Sequence, residues 1–421
     1  MAPPTRKILY HIYDDPGFAG LGPNQPLMKY VPGVSKPSEV ERKDFYCLKK
    51  DLAHLRKLGA AKGIVNPSIV SIGTTADNNE ILAIQIGKGK HHVLVTGAHH
   101  AREWISVEIP YLLAEYLIEA YPTSLASATA KQRRIYHLLE NRTVLIVPMV
   151  NPDGHMYTIE RNRGWRTNRQ VYTYEKATTI HAPQIHGGSR DITVPAGASY
   201  CGVDPNRNYA TKNWGHETYI RGARATSADP RDCGEGKAAV TGTWCGPYAH
   251  FALESAAIAA QIAARNFRAS ISYHSFQQLL LYPDAAASDE FVQFVGRGMA
   301  ALINLNDKAI KYEYKAAKSL YETTGSLMDY CYEKCPGRPT YTPEVRPTMS
   351  EAHLGFSALP EDQIYPCFRE NLAAVLALIN CAGHDASSRD NVTIAQWFPL
   401  VGGKTVQVAT LCWWAFRDWE P

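Results

Sequence analysis

Apolar residues recur at helical spacing over residues 44–60. Leu48, Leu52, Leu55 and Leu58 fall on one face, and Gly59 supplies a stop. The pattern then shortens into apolar runs at 69–72, 81–86 and 92–96. These predict successive strands, with Asp77-Asn78-Asn79 turning the chain between the first two. Further on, 106–121 predicts a helix, 144–150 a strand, 252–263 a helix, and 269–273 a strand that runs into His274. Segments 291–304 and 368–381 read as helices with apolar faces. Strands alternating with helices predict an α/β fold, with a mixed, largely parallel central sheet flanked by helices. In such sheets chemistry gathers beyond the carboxyl ends of the strands. Between 155 and 250 the pattern is weak. Long irregular loops inside a domain are often functional.

The two ends of the chain differ from its middle. Residues 1–43 are rich in Pro, Gly and polar residues and predict an extended lead-in to a main domain over 44–383. Four of the eight tryptophans fall in the last 25 residues, so 384–421 reads as an appendage. The 44 basic and 40 acidic residues are mixed along the chain, which leaves no electrostatic footprint for nucleic acid. No apolar run is long enough for a membrane-spanning helix. The N-terminus does not read as a signal peptide. The chain is therefore expected to be cytoplasmic, or a mature secreted form without its leader. Nine cysteines with no C-x-x-C pair leave at least one thiol outside any intramolecular bridge.

Three groups of residues could carry chemistry. His100 and Glu103, in HHAREW, follow a predicted strand and precede a predicted helix. An imidazole and a carboxylate at spacing three can face one metal, and a catalytic zinc needs a third protein ligand. His274 ends another predicted strand and is the candidate. Taken alone, an H-x-x-E is usually a surface pair. Arginines in irregular chain form the second group: Arg161, Arg163, Arg166 and Arg169 in ERNRGWRTNR, and Arg207 in DPNRNY. A guanidinium is the best grip for a carboxylate. Third is Glu344 in YTPEVRP, a carboxylate able to act as a general base beside a metal site, or simply to pair with Arg346.

Together these segments resemble the metallocarboxypeptidases of the pancreatic carboxypeptidase A and B type. The resemblance runs in order over roughly four fifths of the chain, from about 44 to 381. It is carried by HAREW, NPDGHMYT, NRGWR, VDPNRNY, YHSF with QLLLYP, YETTGSLMDY and PEVRP. It implies one zinc ion per chain held by His100, Glu103 and His274. Arg166 would hold the scissile carbonyl oxygen, and Glu344 would be the general base. Asn206 and Arg207 would bind the terminal carboxylate of a peptide or protein, Tyr321 would close over it, and Arg102 would line the outer subsites. Asp204 would orient the first zinc histidine.

The resemblance also places Met328 at the floor of the specificity pocket, with Thr342, Ala316, Ala285 and Leu281 around it. Apolar lining implies a preference for aromatic or aliphatic C-terminal residues, although Asp284 beside Ala285 could admit Lys or Arg. Cys201 and Cys233 sit where a family disulfide lies. Departures are Pro343 before Glu344, Phe276 after His274-Ser275, and an insertion near 216–243. The expected function is a zinc-dependent exopeptidase. The alternatives are a hydrolase of cell-wall peptides or another amide, or a catalytically silent binding protein.

Overall fold

The structure, a computed structural model, describes residues 37–183, 189–214, 223–224, 242–306, 311–321, 323–348 and 361–382. The leucine-spaced segment is helix α1 (Pro37–Ala61). It begins inside the stretch expected to be extended. Residues 38–43, SEVERK, contain no breaker, and a proline is tolerated in a first helical turn. Strands β1 (Ser71–Thr74) and β2 (Glu80–Leu82) form a hairpin, with Asn78 at a φ of 62° in the turn. The run expected as one strand over 81–86 divides at Ala83. Its second part, β3 (Ile84–Gly87), joins the central sheet.

The chain continues through β4 (His91–Gly97), α2 (Ile105–Ala120), α3 (Ala130–Asn141), β5 (Arg142–Val147) and α4 (Pro152–Glu160). The segment that carried little pattern holds short strands: β6 (Val171–Thr173), β7 (Thr178–Pro183), β8 (Ser189–Val194), β9 (Ser199–Cys201) and β10 (Ala223–Arg224). After it come α5 (Leu253–Ala264), β11 (Phe267–Gln277), β12 (Leu279–Tyr282), α6 (Glu290–Asn306) and β13 (Glu313–Ala316). The last elements are α7 (Leu327–Lys334), β14 (Thr340–Thr348) and α8 (Glu361–Cys381).

Seven strands form the central sheet in the order β13-β12-β14-β11-β4-β5-β3. The middle four, β14, β11, β4 and β5, are parallel, while β3 and β12 run antiparallel to their neighbours β5 and β14. Alternate residues serve opposite faces, as the pleat requires. Val93 and Val95 of β4 join a core with α1, α2, α6 and α8, while Leu94 joins a second core with residues of α5 and α7. Each buried Val or Leu contributes roughly 1.5–3 kcal/mol over an exposed position. A sheet covered on both faces reads as near-continuous apolar runs, and β4 and β5 do. It is a stiff platform for whatever its strand ends carry.

No helix among the described residues is long and apolar enough to cross a membrane. The 384–421 appendage, the insertion expected near 216–243 apart from β10 and residues 242–243, and Cys233 lie outside the described residues. Cys201 is disulfide-bonded.

Candidate active site

The three parallel strands β4, β11 and β14 end side by side and deliver the expected residues to one place. β4 stops at Gly97, where a Cβ would meet the Ser106 carbonyl oxygen at 1.9 Å. Only glycine lets the strand run this close to the start of α2. Ala98 then turns with a φ of 50°, and its N–H donates to Ser106 Oγ at 3.0 Å. Asn151 fixes the loop further. Its N–H donates to Ala98 O at 3.1 Å, and its Nδ2 donates to the carbonyls of His99 and Thr167, both at 3.1 Å. This turn presents His100 and Glu103. His274 arrives on β11, and the strand register sets it directly beside Glu344 of β14. Pro343 lies within β14 opposite Leu280, so it leaves that strand intact.

His100, Glu103 and His274 are all buried, with ligand-type atoms within 4.8 Å of one another. Glu103 Oε1 lies 2.7 Å from His100 Nδ1, and Oε2 lies 2.9 Å from His274 Nδ1. The two Nδ1 atoms are 3.0 Å apart. Burial alone would raise the Glu103 carboxyl, but the two histidines outweigh it and hold it well below the ordinary range. His274 is pushed down to about 4, chiefly by burial. Two imidazoles and a carboxylate converging in a buried site are a zinc donor set. The residues therefore fit the expected metal.

Around this cluster the charges interlock. Asp204 Oδ1 is 3.3 Å from His100 Nε2, and Oδ2 accepts from Arg166 Nε at 2.9 Å. Arg166 Nη2 lies 2.8 Å from His100 Nε2. Burial pulls the Arg166 guanidinium down, but Asp204, Tyr321 and Glu103 more than restore its charge. Arg207 is buried; its Nη1 donates to Asn206 O at 2.7 Å and its Nη2 to the Tyr321 hydroxyl at 2.8 Å. Tyr321 is 47% exposed, so it can move off Arg207 at little cost in packing. Asn206 Oδ1 accepts from Leu327 N at 2.8 Å, which ties this loop to the start of α7. Arg102 sits beside Arg166, and burial followed by that repulsion lowers it to about 10. Glu344 is raised well above the ordinary carboxylate range. Burial is the main cause and Glu103 the second, while Arg166 and Arg207 pull the other way.

Met328 is buried in an apolar cluster with Leu279, Leu281 and Ala317. Ser326 caps α7, accepting from Asp329 N, and so fixes the helix that carries Met328. Thr342 is buried on β14 opposite Leu281, and Ala316 pairs with Tyr282 on β12. Asp284 Oδ1 accepts from Lys318 N at 3.2 Å. The structure thus brings His100, Glu103, His274, Arg166, Asp204, Asn206, Arg207, Tyr321 and Glu344 together at the strand ends, and β12 pairs with β14 beside them, Leu279 with Glu344 and Leu281 with Thr342. The sequence reading missed Asn151, His99, Ser272 and Tyr209 as members of the site. His99 was in view in the His-His doublet, but a doublet does not say which member faces the metal.

The profile of the zinc carboxypeptidases matches residues 58–374. The chain belongs to the zinc carboxypeptidase family. Its relatives include the inactive metallocarboxypeptidase ECM14 of Arthroderma otae, 28% identical over 354 residues, covering 74% of this chain and 51% of the relative. They also include carboxypeptidase B of Homo sapiens, 27% identical over 325 residues, covering 74% and 65%. The chain spans about half the length of the ECM14 relative and about two thirds of the human one. Among solved structures, bovine thrombin-activatable fibrinolysis inhibitor, in complex with tick carboxypeptidase inhibitor, shares the fold. Its TM-score is 0.58 at 23% identity, covering 80% of this chain and 96% of that one. Carboxypeptidase A from Helicoverpa armigera does too, with a TM-score of 0.57 at 20% identity, covering 91% and 80%. As a zinc carboxypeptidase family member the chain has the expected fold, a mixed and mostly parallel sheet flanked by helices.

Proposed function

We propose that this chain is an active zinc-dependent exopeptidase that removes the C-terminal residue of peptides, preferring apolar or aromatic side chains. The register pair His274 and Glu344 carries the reading, because it sets a carboxylate with a raised pKa beside a three-residue zinc donor set. Zinc held by His100, Glu103 and His274 supplies Lewis acidity, polarising a carbonyl and acidifying water. Glu344 accepts a proton from the attacking water and returns it to the departing amine. Burial and Glu103 raise its affinity for that proton. Arg166, fixed by Asp204, donates to the developing oxyanion. Losing one such donor costs roughly 3–4 kcal/mol of transition-state stabilisation.

Arg207 and Asn206 receive the substrate's terminal carboxylate, and Tyr321 swings from Arg207 to cover it. A substrate without that carboxylate leaves a buried guanidinium unpaired, and such mismatches are rejected strongly. The apolar cluster around Met328 receives the side chain. The names of the ECM14 relatives raise the catalytically silent alternative. Against it, this chain keeps three zinc donors, a general base and a carboxylate anchor in one cleft.

Hydrolysis of two blocked dipeptides, ending in Phe and in Arg, with and without a zinc chelator, tests the reading. Chelator-sensitive release of Phe is expected. Release of Arg alone would transfer the pocket assignment from Met328 to Asp284. Zinc binding with release of neither would favour the silent alternative, and equal cleavage of a C-terminally amidated peptide would refute an exopeptidase.

A further inference from the structure

Behind His274 runs a line of buried polar groups to which the mechanism above assigns no part. His274 turns Nδ1 towards Glu103 and His100, and its other nitrogen, Nε2, lies 3.2 Å from Ser272 Oγ. Ser272 Oγ is 3.3 Å from His99 Nδ1, and His99 Nε2 is 2.9 Å from the Tyr209 hydroxyl. Every member is at most 3% exposed. The His99 ring also stacks on the His274 ring, with centroids 5.6 Å apart and planes 21° apart.

The zinc reading fixes the direction of every bond. A His274 that ligates through Nδ1 carries its proton on Nε2, and a neutral imidazole has one donor and one acceptor. Nε2–H then donates to Ser272 Oγ, the Ser272 hydroxyl donates to His99 Nδ1, and His99 Nε2–H donates to the Tyr209 hydroxyl oxygen. Asn206 Nδ2 lies 3.3 Å from His274 Nε2 but can only donate, and its Oδ1 accepts from Leu327 N, so Ser272 is the acceptor for that proton.

We propose that His99 is a positioning residue for the metal centre. Through Ser272 it holds His274 in the tautomer that ligates through Nδ1. Through its Nε2 it anchors that choice on the Tyr209 hydroxyl. The two histidines of the donor set are then oriented by different means. His100 faces the ionised Asp204, and His274 faces a neutral chain. This inference rests on the reading of His274 as a zinc ligand.

Zinc affinity, measured by competition with a chromogenic chelator, tests it. Changing the partners of a ligating histidine typically costs 10–100-fold in metal affinity. Ser272→Ala and His99→Leu are each expected to weaken zinc by that factor. His99→Asn, whose side-chain oxygen can replace Nδ1 as acceptor, should recover most of it. The Ser272→Ala/His99→Leu double variant should lose little more than either single one, because both cut the same line. Wild-type affinity in Ser272→Ala would overturn the proposal, and so would equal losses in His99→Asn and His99→Leu. If His99→Leu does not fold, Ser272→Ala and Tyr209→Phe carry the test, the latter with a smaller loss. Wild-type protein that binds no zinc would instead remove the zinc reading itself, and the proposal with it.

Discussion

Asp204 and Asp51 are both buried aspartates, and they behave in opposite ways. Asp204 faces His100 and Arg166 and accepts from the backbone N–H of Asn206 at 2.9 Å. Burial pushes its carboxyl up, but Arg166, His100 and Arg207 overcome this and hold it well below the usual range. Asp51, on α1, is 1% exposed, and neither of its oxygens has a hydrogen-bond partner. Burial, with Glu115 adding repulsion, pushes it up to about 7. Exposure to solvent is nearly the same for both. The partners decide the charge, and at the cleft they are arranged to keep an anion that the scaffold elsewhere does not tolerate. Glu344 stands between the two cases: repelled by Glu103, attracted by two guanidiniums, and still raised.

The largest effect is expected at that intermediate acid. Glu344→Gln keeps the shape and removes the proton acceptor, so kcat should fall by about 10²–10⁴-fold while zinc binding persists. Steady-state turnover and metal content measure the two separately, and near-wild-type turnover would take Glu344 out of the mechanism. Asp204→Asn comes next. It removes the charge that orients His100 and holds Arg166, so zinc affinity should drop about 10–100-fold. A chelator titration reads that loss directly. Unchanged zinc affinity would mean that His100 is held by its loop alone.

Much of this comparison was legible in the sequence, and the reason is local. His100 and Glu103 sit three residues apart at one strand-to-helix turn, so a short motif contains their geometry. His274, Arg166, Arg207 and Glu344 each lie in a segment whose neighbours match a known pattern. The sheet followed from apolar runs that are buried on both faces. Asp51 was not legible, because an aspartate in an amphipathic helix reads as a solvent-facing residue until α1 is seen docked. The line from His274 through Ser272 and His99 to Tyr209 was equally hidden. It joins residues 99, 209, 272 and 274, and hydrogen bonds across such separations leave no periodicity. Helix α7 was missed because eight residues with two tyrosines and a cysteine make little pattern, although its serine cap was in plain view.

The last effect separates the two aspartates most cleanly, since it bears on stability and leaves the chemistry alone. An acid raised in the folded state favours folding while it stays protonated in both states. As pH rises past the unfolded value of 3.8, the unfolded chain releases its proton and the folded chain does not. Stability is therefore lost between 3.8 and about 7 and is level above that. A shift from 3.8 to about 7 corresponds to at most about 4 kcal/mol, at 1.36 kcal/mol per unit. Asp51→Asn cannot ionise, so it should unfold at higher denaturant concentration than wild type at pH 8 and should lose this advantage by pH 3.5. Urea midpoints at the two pH values measure it. A difference that stays constant with pH would mean that Asp51 ionises over the same pH range folded and unfolded, and the contrast with Asp204 would collapse. A difference that grows with pH, without change in kcat, would show that the buried charge problem is solved only where the cleft needs it.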